Sequence, residues 1–269
     1  MGPLKTAAGT ECPVDALAEL DRPAHMGRLL RGLIHNINGP LQNISMLLEL
    51  MDRHHAKIDS HLLVHTGPLA EALRPLCDAQ KGRIQRTLDQ VRLFSEMLKD
   101  FMVIHEIEVN ESEVEVNLIL EKLQCIYRAD LFCKHHVTME MRPAPKVPLL
   151  RIRGRHLVPA LEHLMENALL SMRASTEKIL ILSTEVTEHH VVIRFEDTGC
   201  GLPQDRGPEE LFEPFVTGWP DEVRKADKIF SHLGLGLTLA SRLLRPYGAT
   251  VSLMPRETGG TMAQVFLPR

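Results

Sequence analysis

Residues 191–201 read V-V-I-R-F-E-D-T-G-C-G. The run Val191–Glu196 mixes β-branched, aromatic and charged residues, which predicts a strand. Asp197 stands at its end, and Gly199 and Gly201 follow at alternate positions. A carboxylate there can accept a hydrogen bond from an amine. Bare glycine backbone lets the chain come close to a flat ring. The same D-x-G-x-G pattern also occurs in ordinary turns, so the neighbouring segments have to decide.

Outward from this stretch, residues 109–269 alternate helical and extended texture. Short strands are predicted at 113–117, 137–141 and 150–152, and a helix carries Leu118, Leu120, Leu123 and Ile126. Residues 178–186 form the hairpin partner of 191–196, with Glu188-His189-His190 at the turn. Leu157–Met172 and Gly234–Leu244 read as helices, and 250–253 with 262–267 close the sheet. Helices on a mostly antiparallel sheet make a two-layer α/β sandwich.

Upstream the period is purely helical. Leu30, Leu33, Ile37, Leu41, Ile44, Leu48 and Met51 recur at steps of three and four, as do Ile84, Leu88, Val91, Phe94, Leu98 and Phe101. Between them Gly67-Pro68 and Pro75 mark a connector where helix breaks or restarts are expected. Two such stripes form a long helical hairpin, and two copies bury them as a dimeric four-helix bundle. The fold class is therefore α+β. The expected divisions are an N-terminal tail at 1–23, the hairpin at 24–108 and the sandwich domain at 109–269.

Composition bounds the function. The chain has 269 residues, 44% hydrophobic and 25% charged, with a net charge of −4. That is ordinary globular composition, and it gives no global reason to expect nucleic acid or an anionic membrane as partner. No apolar run approaches the ~18–20 residues of a membrane span, and no signal peptide opens the chain. Five scattered cysteines without a C-x-x-C pair read as reduced thiols in a cytoplasmic protein. The adjacent histidines at 54–55, 135–136 and 189–190 point to different faces, so none is a ready metal chelate.

Two further signals carry chemistry. His232-Leu-Gly-Leu-Gly-Leu237 opens a helix, where bare N–H groups suit polyphosphate. Glu166-Asn167-Ala168 lies on a helix whose apolar face is Leu157, Leu161, Leu164 and Ala168, and the Asn167 amide oxygen is suited to Mg²⁺. In order and spacing these segments resemble the catalytic ATP-binding domain of sensor histidine kinases, within the Bergerat-fold ATPases. Leu157–Asn167 matches the N-box, Asp197–Gly201 the G1 box, Leu211–Phe215 the F-box, and Gly234–Gly236 the G2 box. Gly260-Thr261 matches the terminal glycine–threonine element. The resemblance implies ATP and Mg²⁺ held by Asn167, Asp197, Gly199, Gly201, Phe215, Gly234, Gly236 and Thr261, with Asn167 toward the metal.

The hairpin segment H-N-I-N-G-P-L, residues 35–41, resembles the family's H-box, a histidine followed by proline and leucine five and six positions later. His35 is then the phospho-acceptor, and Asn36 and Asn38 are its catalytic neighbours. At ~100° per residue His35 lies about 200° from Leu33 and Ile37, away from the apolar seam. Gly39-Pro40 is expected to weaken the helix just past it.

The departures from the family pattern are specific. Asn36 stands where the family has a carboxylate, and Gly39 stands where Thr or Asn accompanies phosphatase activity. His163 replaces the first N-box asparagine, His232 the first G2 glycine, and Leu170-Ser171 the usual Lys-Tyr. Arg224, Lys225 and Lys228 fall where the family's ATP lid lies.

The reading is a cytoplasmic histidine autokinase, homodimeric, passing phosphoryl from ATP to His35 and then to the receiver domain of a response regulator. Residues 1–23 are too few for a sensor domain, so a separate sensor protein or a longer chain supplies the signal. The alternative is a kinase-like histidine-phosphotransfer or scaffold protein with little ATP turnover. A third reading is a Bergerat-type protein kinase acting on Ser, Thr or a residue of another protein.

Overall fold

A computed structural model of the chain describes residues 69–109, 113–226 and 233–269, with residues 39, 40, 43, 44, 46, 47, 49–51, 53, 54 and 57. Cα packing divides it into two units, Arg28–Met102 and a second containing Val103–Arg269.

In the first unit, every described residue from 39 to 57 is helical, including Gly39 and Pro40. Helix α1 spans Leu69–Val109, and Gly67-Pro68 lies outside the described residues. The helix runs unbroken through Pro75, where a break or restart was expected. Pro75 lacks one backbone donor, but the turns on either side hold the helix together. Arg83 donates to the Leu50 carbonyl at 3.3 Å, joining the two helical segments. On the predicted apolar face Val91 is exposed, as are Leu93 and Met102 nearby.

The second unit holds the sandwich. In chain order after α1 come α2 (Val116–Arg128), α3 (Leu131–His136), β1 (Thr138–Arg142), α4 (Gly154–Ser171), β2 (Ile179–Val186) and β3 (His190–Asp197). They are followed by α5 (Asp221–Ala226), α6 (Gly236–Leu244), β4 (Thr250–Pro255) and β5 (Thr261–Pro268). The five strands lie in the order β1-β2-β3-β5-β4. β1 runs parallel to β2 and the other pairs are antiparallel, which makes a mixed sheet.

Period-two alternation explains the core. Leu180 and Leu182 on β2, Val191, Ile193 and Phe195 on β3, and Ala263, Val265 and Leu267 on β5 all point into one cluster. α2 meets them with Val116, Ile119, Leu120 and Leu123, and α4 with Leu157, Leu161, Leu164 and Ala168. Burying each large side chain stabilises by roughly 1.5–3 kcal/mol. Tyr247, just after α6, accepts from the Arg153 amide at 3.2 Å and lies 2.8 Å from His156 Nδ1. That fixes the start of α4 against the end of α6.

Two predicted strands shrink to one contact. Val114 pairs with Leu150 in an isolated bridge, and α2 already begins at Val116. The apolar face of α2 is worth more in the core than a longer edge pairing, so tertiary packing overrides the local alternation. α3 is short and was not foreseen. Asp130 caps it, accepting from Phe132 N at 2.9 Å and Cys133 N at 3.1 Å, a cap worth ~1 kcal/mol.

The last turns of α1 join this core. Ile104 is buried in the cluster and Ile107 packs against it. The approach is close at Gly154, where a Cβ would lie 2.0 Å from the Ile107 carbonyl oxygen. Gly154→Ala is therefore expected to destabilise by ~1–3 kcal/mol through overpacking. Gly82 on α1 has nothing within 4 Å of such a Cβ, and Gly82→Ala should stabilise by up to ~1 kcal/mol. Thermal melting of the two variants gives shifts of opposite sign, and equal shifts would remove the packing explanation.

Candidate nucleotide site

Helix α4 organises the site. Asn167 and Ser171 are four residues apart, so they share one face of the helix. His163, one further turn back, lies on that face too.

At the C-terminal end of α4 the helix meets the end of β3. Asp197 is only 4% exposed. Its Oδ1 accepts from the Ser171 hydroxyl at 2.9 Å and from the Gly199 amide at 2.8 Å. The Cys200 amide donates to the Ser171 carbonyl at 3.1 Å. Arg256, on the turn between β4 and β5, donates to the Asp197 carbonyl at 3.0 Å and pairs with Glu196 at 3.3 Å. Gly260 has φ +92°, and a Cβ on it would fall 1.9 Å from the Asp197 carbonyl oxygen. Only glycine permits that approach. Thr261 follows it, buried, at the head of β5.

Burial pushes the Asp197 carboxyl above its ordinary value. The Gly199 amide, the Ser171 hydroxyl, the Thr261 backbone and the Arg256 guanidinium oppose that shift. Burial also raises the Cys200 thiol, and the neighbouring Asp197 charge adds to it. That keeps Cys200 a poor nucleophile at neutral pH.

The middle of α4 meets the start of α6. A Cβ on Gly236 would lie 3.5 Å from His163 Nδ1 and 3.6 Å from Asn167 Nδ2, so both side chains face that glycine. His163 is 4% exposed and Asn167 is partly exposed. The segment before α6 is tied to residues 212–216. Phe215 N donates to the Gly234 carbonyl at 3.0 Å, and the Thr238 hydroxyl donates to the Phe212 carbonyl at 2.9 Å. Phe215 itself has φ +67° and is 65% exposed, a conformation that costs a non-glycine residue ~1–3 kcal/mol.

The predicted residues thus fall into two groups joined by α4. Asp197, Gly199, Gly201 and Thr261 gather at its end, and Asn167, Gly234, Gly236 and Phe215 gather along its middle. His35, Asn36 and Asn38 lie outside the described residues, as do Lys228 and His232. Arg224 and Lys225 fall on α5, with side chains outside the described set. Two further polar residues contribute, Ser171 and Arg256. Ser171 was visible through its four-residue spacing from Asn167, whereas nothing local marks Arg256.

The residues fit a purine nucleotide with its divalent ion. A buried carboxylate offers an acceptor, glycine backbone opens space for a ring, and an amide sits beside a bare helix N-terminus.

Residues 153–269 match the family of histidine kinase-, DNA gyrase B- and HSP90-like ATPases. The sensor histidine kinase GtrS of Pseudomonas aeruginosa is 27% identical over 243 residues, 90% of this chain and 42% of GtrS. The sensor protein CreC of Escherichia coli is 24% identical over 258 residues, 93% of this chain and 47% of CreC. The chain spans less than half the length of these relatives. The catalytic domain of histidine kinase ThkA superposes with a TM-score of 0.48 at 16% identity, over 58% of this chain and 96% of ThkA's. Among the described residues no helix is long and apolar enough to cross a membrane.

Proposed function

Residues 153–269 belong to the histidine kinase-, DNA gyrase B- and HSP90-like ATPases and form a histidine kinase ATP-binding core, and on that premise we propose that the chain is a cytoplasmic protein-histidine autokinase. ATP binds along α4. Asp197 accepts the adenine amine, while Gly199, Gly201 and Thr261 leave room for the ring. The amides at Gly234 and Gly236 face the phosphates, Phe215 borders them, and Asn167 holds Mg²⁺, which neutralises phosphate charge.

The observation that carries this reading is the convergence on α4 of an acceptor for a base and an amide beside a helix N-terminus. The match to GtrS covers 90% of the chain and so extends beyond the ATP-binding domain into the segment that holds His35.

A ring nitrogen of His35 attacks the γ-phosphorus. The N–P bond forms as the bond to the β-phosphate oxygen breaks, and ADP leaves with its pair of electrons. Aspartate on the receiver domain of a response regulator then takes the phosphoryl group. The chain works as a homodimer, with a separate sensor protein or a longer chain supplying its signal.

Asn36 makes this kinase slow. Its amide can orient the imidazole but cannot take the ring proton. A positioned base is worth ~10²–10⁴-fold, so Asn36→Glu should raise the rate of phosphoryl incorporation at saturating ATP about tenfold or more. An unchanged or lower rate would assign proton removal to another group.

A second reading has its own support. Asn36 and His163 depart from the family pattern, as they would in a phosphotransfer scaffold that has stopped turning over ATP. A fluorescent ATP analogue with Mg²⁺ separates the two. Saturable binding that ATP displaces supports the kinase, and no binding supports the scaffold.

A further inference from the structure

Ser171 is the last residue of α4 and is 3% exposed. Its hydroxyl lies 2.9 Å from Asp197 Oδ1 and 2.7 Å from the Ala168 carbonyl. One proton serves only one acceptor at a time, and an ionised carboxylate is the stronger of the two. Gly199 N–H reaches the same Oδ1 at 2.8 Å. Both accepting positions of Oδ1 are therefore taken from within the chain. The Thr261 backbone also bonds the carboxyl, and of its roughly four accepting sites one, on Oδ2, is left for an outside donor.

Ser171 also shapes the loop that follows. A Cβ on Gly199 would lie 2.0 Å from the Ser171 Oγ. Its carbonyl receives the Cys200 amide. The loop closes on the serine at three points, Asp197, Gly199 and Cys200.

Resting on the adenine assignment above, we propose that Ser171 is a positioning residue that locks Asp197 with Oδ2 as the free acceptor and so sets the preference of the site for a 6-amino purine over a 6-oxo purine. A 6-amino group donates to Oδ2. A 6-oxo group places a second acceptor there and is repelled. Without the serine hydroxyl, Oδ1 keeps one donor and the carboxyl can turn. The buried group then also protonates more readily, and a protonated oxygen can donate to a 6-oxo purine.

The test is calorimetric titration of the full chain with ATP and with inosine triphosphate, each with Mg²⁺. Wild type should prefer ATP. Ser171→Ala should lose ATP affinity about tenfold while affinity for inosine triphosphate holds or rises, so that the ratio collapses. Ser171→Cys, near-isosteric and a weak donor, should give the same collapse and serves if the alanine variant loses its fold. Equal weakening of both nucleotides, or an unchanged ratio, overturns the proposal and leaves Asp197 as the adenine acceptor. A wild type with no preference overturns the adenine assignment and this proposal with it.

Discussion

Asp197→Asn is expected to weaken ATP binding by roughly 10–150-fold, the equivalent of the ~1.5–3 kcal/mol of a hydrogen bond to a charged group. The carboxylate accepts at either oxygen, whereas the amide offers one acceptor and two donors. Ser171 and Gly199 both donate to this side chain. The amide oxygen satisfies them by taking the Oδ1 position, which turns the NH₂ toward the base, donor against donor. Calorimetry with ATP reads the loss directly, and wild-type affinity in the variant would remove Asp197 from adenine recognition. Binding should also weaken on acidification. Protonation removes the acceptor, and because burial holds the carboxyl above its ordinary value the loss sets in at a higher pH than for an exposed aspartate.

His35→Ala is expected to abolish phosphoryl incorporation while leaving ATP affinity within about twofold, since substitutions away from the nucleotide contacts rarely change binding much. The two results together matter more than either alone. Loss of label with intact binding places the histidine downstream of the nucleotide. Label that persists in His35→Ala moves the acceptor to another residue and ends the H-box reading. Mixing His35→Ala with Asp197→Asn chains then reports the geometry. Recovery of label in the mixture means that one protomer phosphorylates its partner.

Much of the sandwich was legible because its periodicities are strong. Val191, Ile193 and Phe195 alternate cleanly, and β3 forms from His190 to Asp197. Leu157, Leu161, Leu164 and Ala168 recur at helical spacing, and α4 runs through them despite Pro159. What local pattern could not settle was competition with tertiary packing. Val114 alternates like a strand residue, yet the apolar face beginning at Val116 draws the chain into a helix. Pro75 reads as a breaker, and its neighbours hold α1 intact.

The site divides in the same way. Asp197, Gly199 and Gly201 are readable because one loop carries them all. The Ser171 bond to Asp197 spans 26 residues and the Arg256 bond to its carbonyl spans 59. Such pairs exist only once α4 and the β4–β5 turn are packed against the end of β3, so no sequence window contains them.

The most direct measurement is the chemistry of the phosphoryl linkage. Full-length wild-type protein is incubated with γ-labelled ATP and Mg²⁺, and the labelled chain is treated separately with acid and with base. A histidine autokinase gives label that acid removes and base leaves in place. Label that survives acid is an ester on a hydroxyl side chain and contradicts the assignment to His35, as does a chain that binds ATP and never becomes labelled.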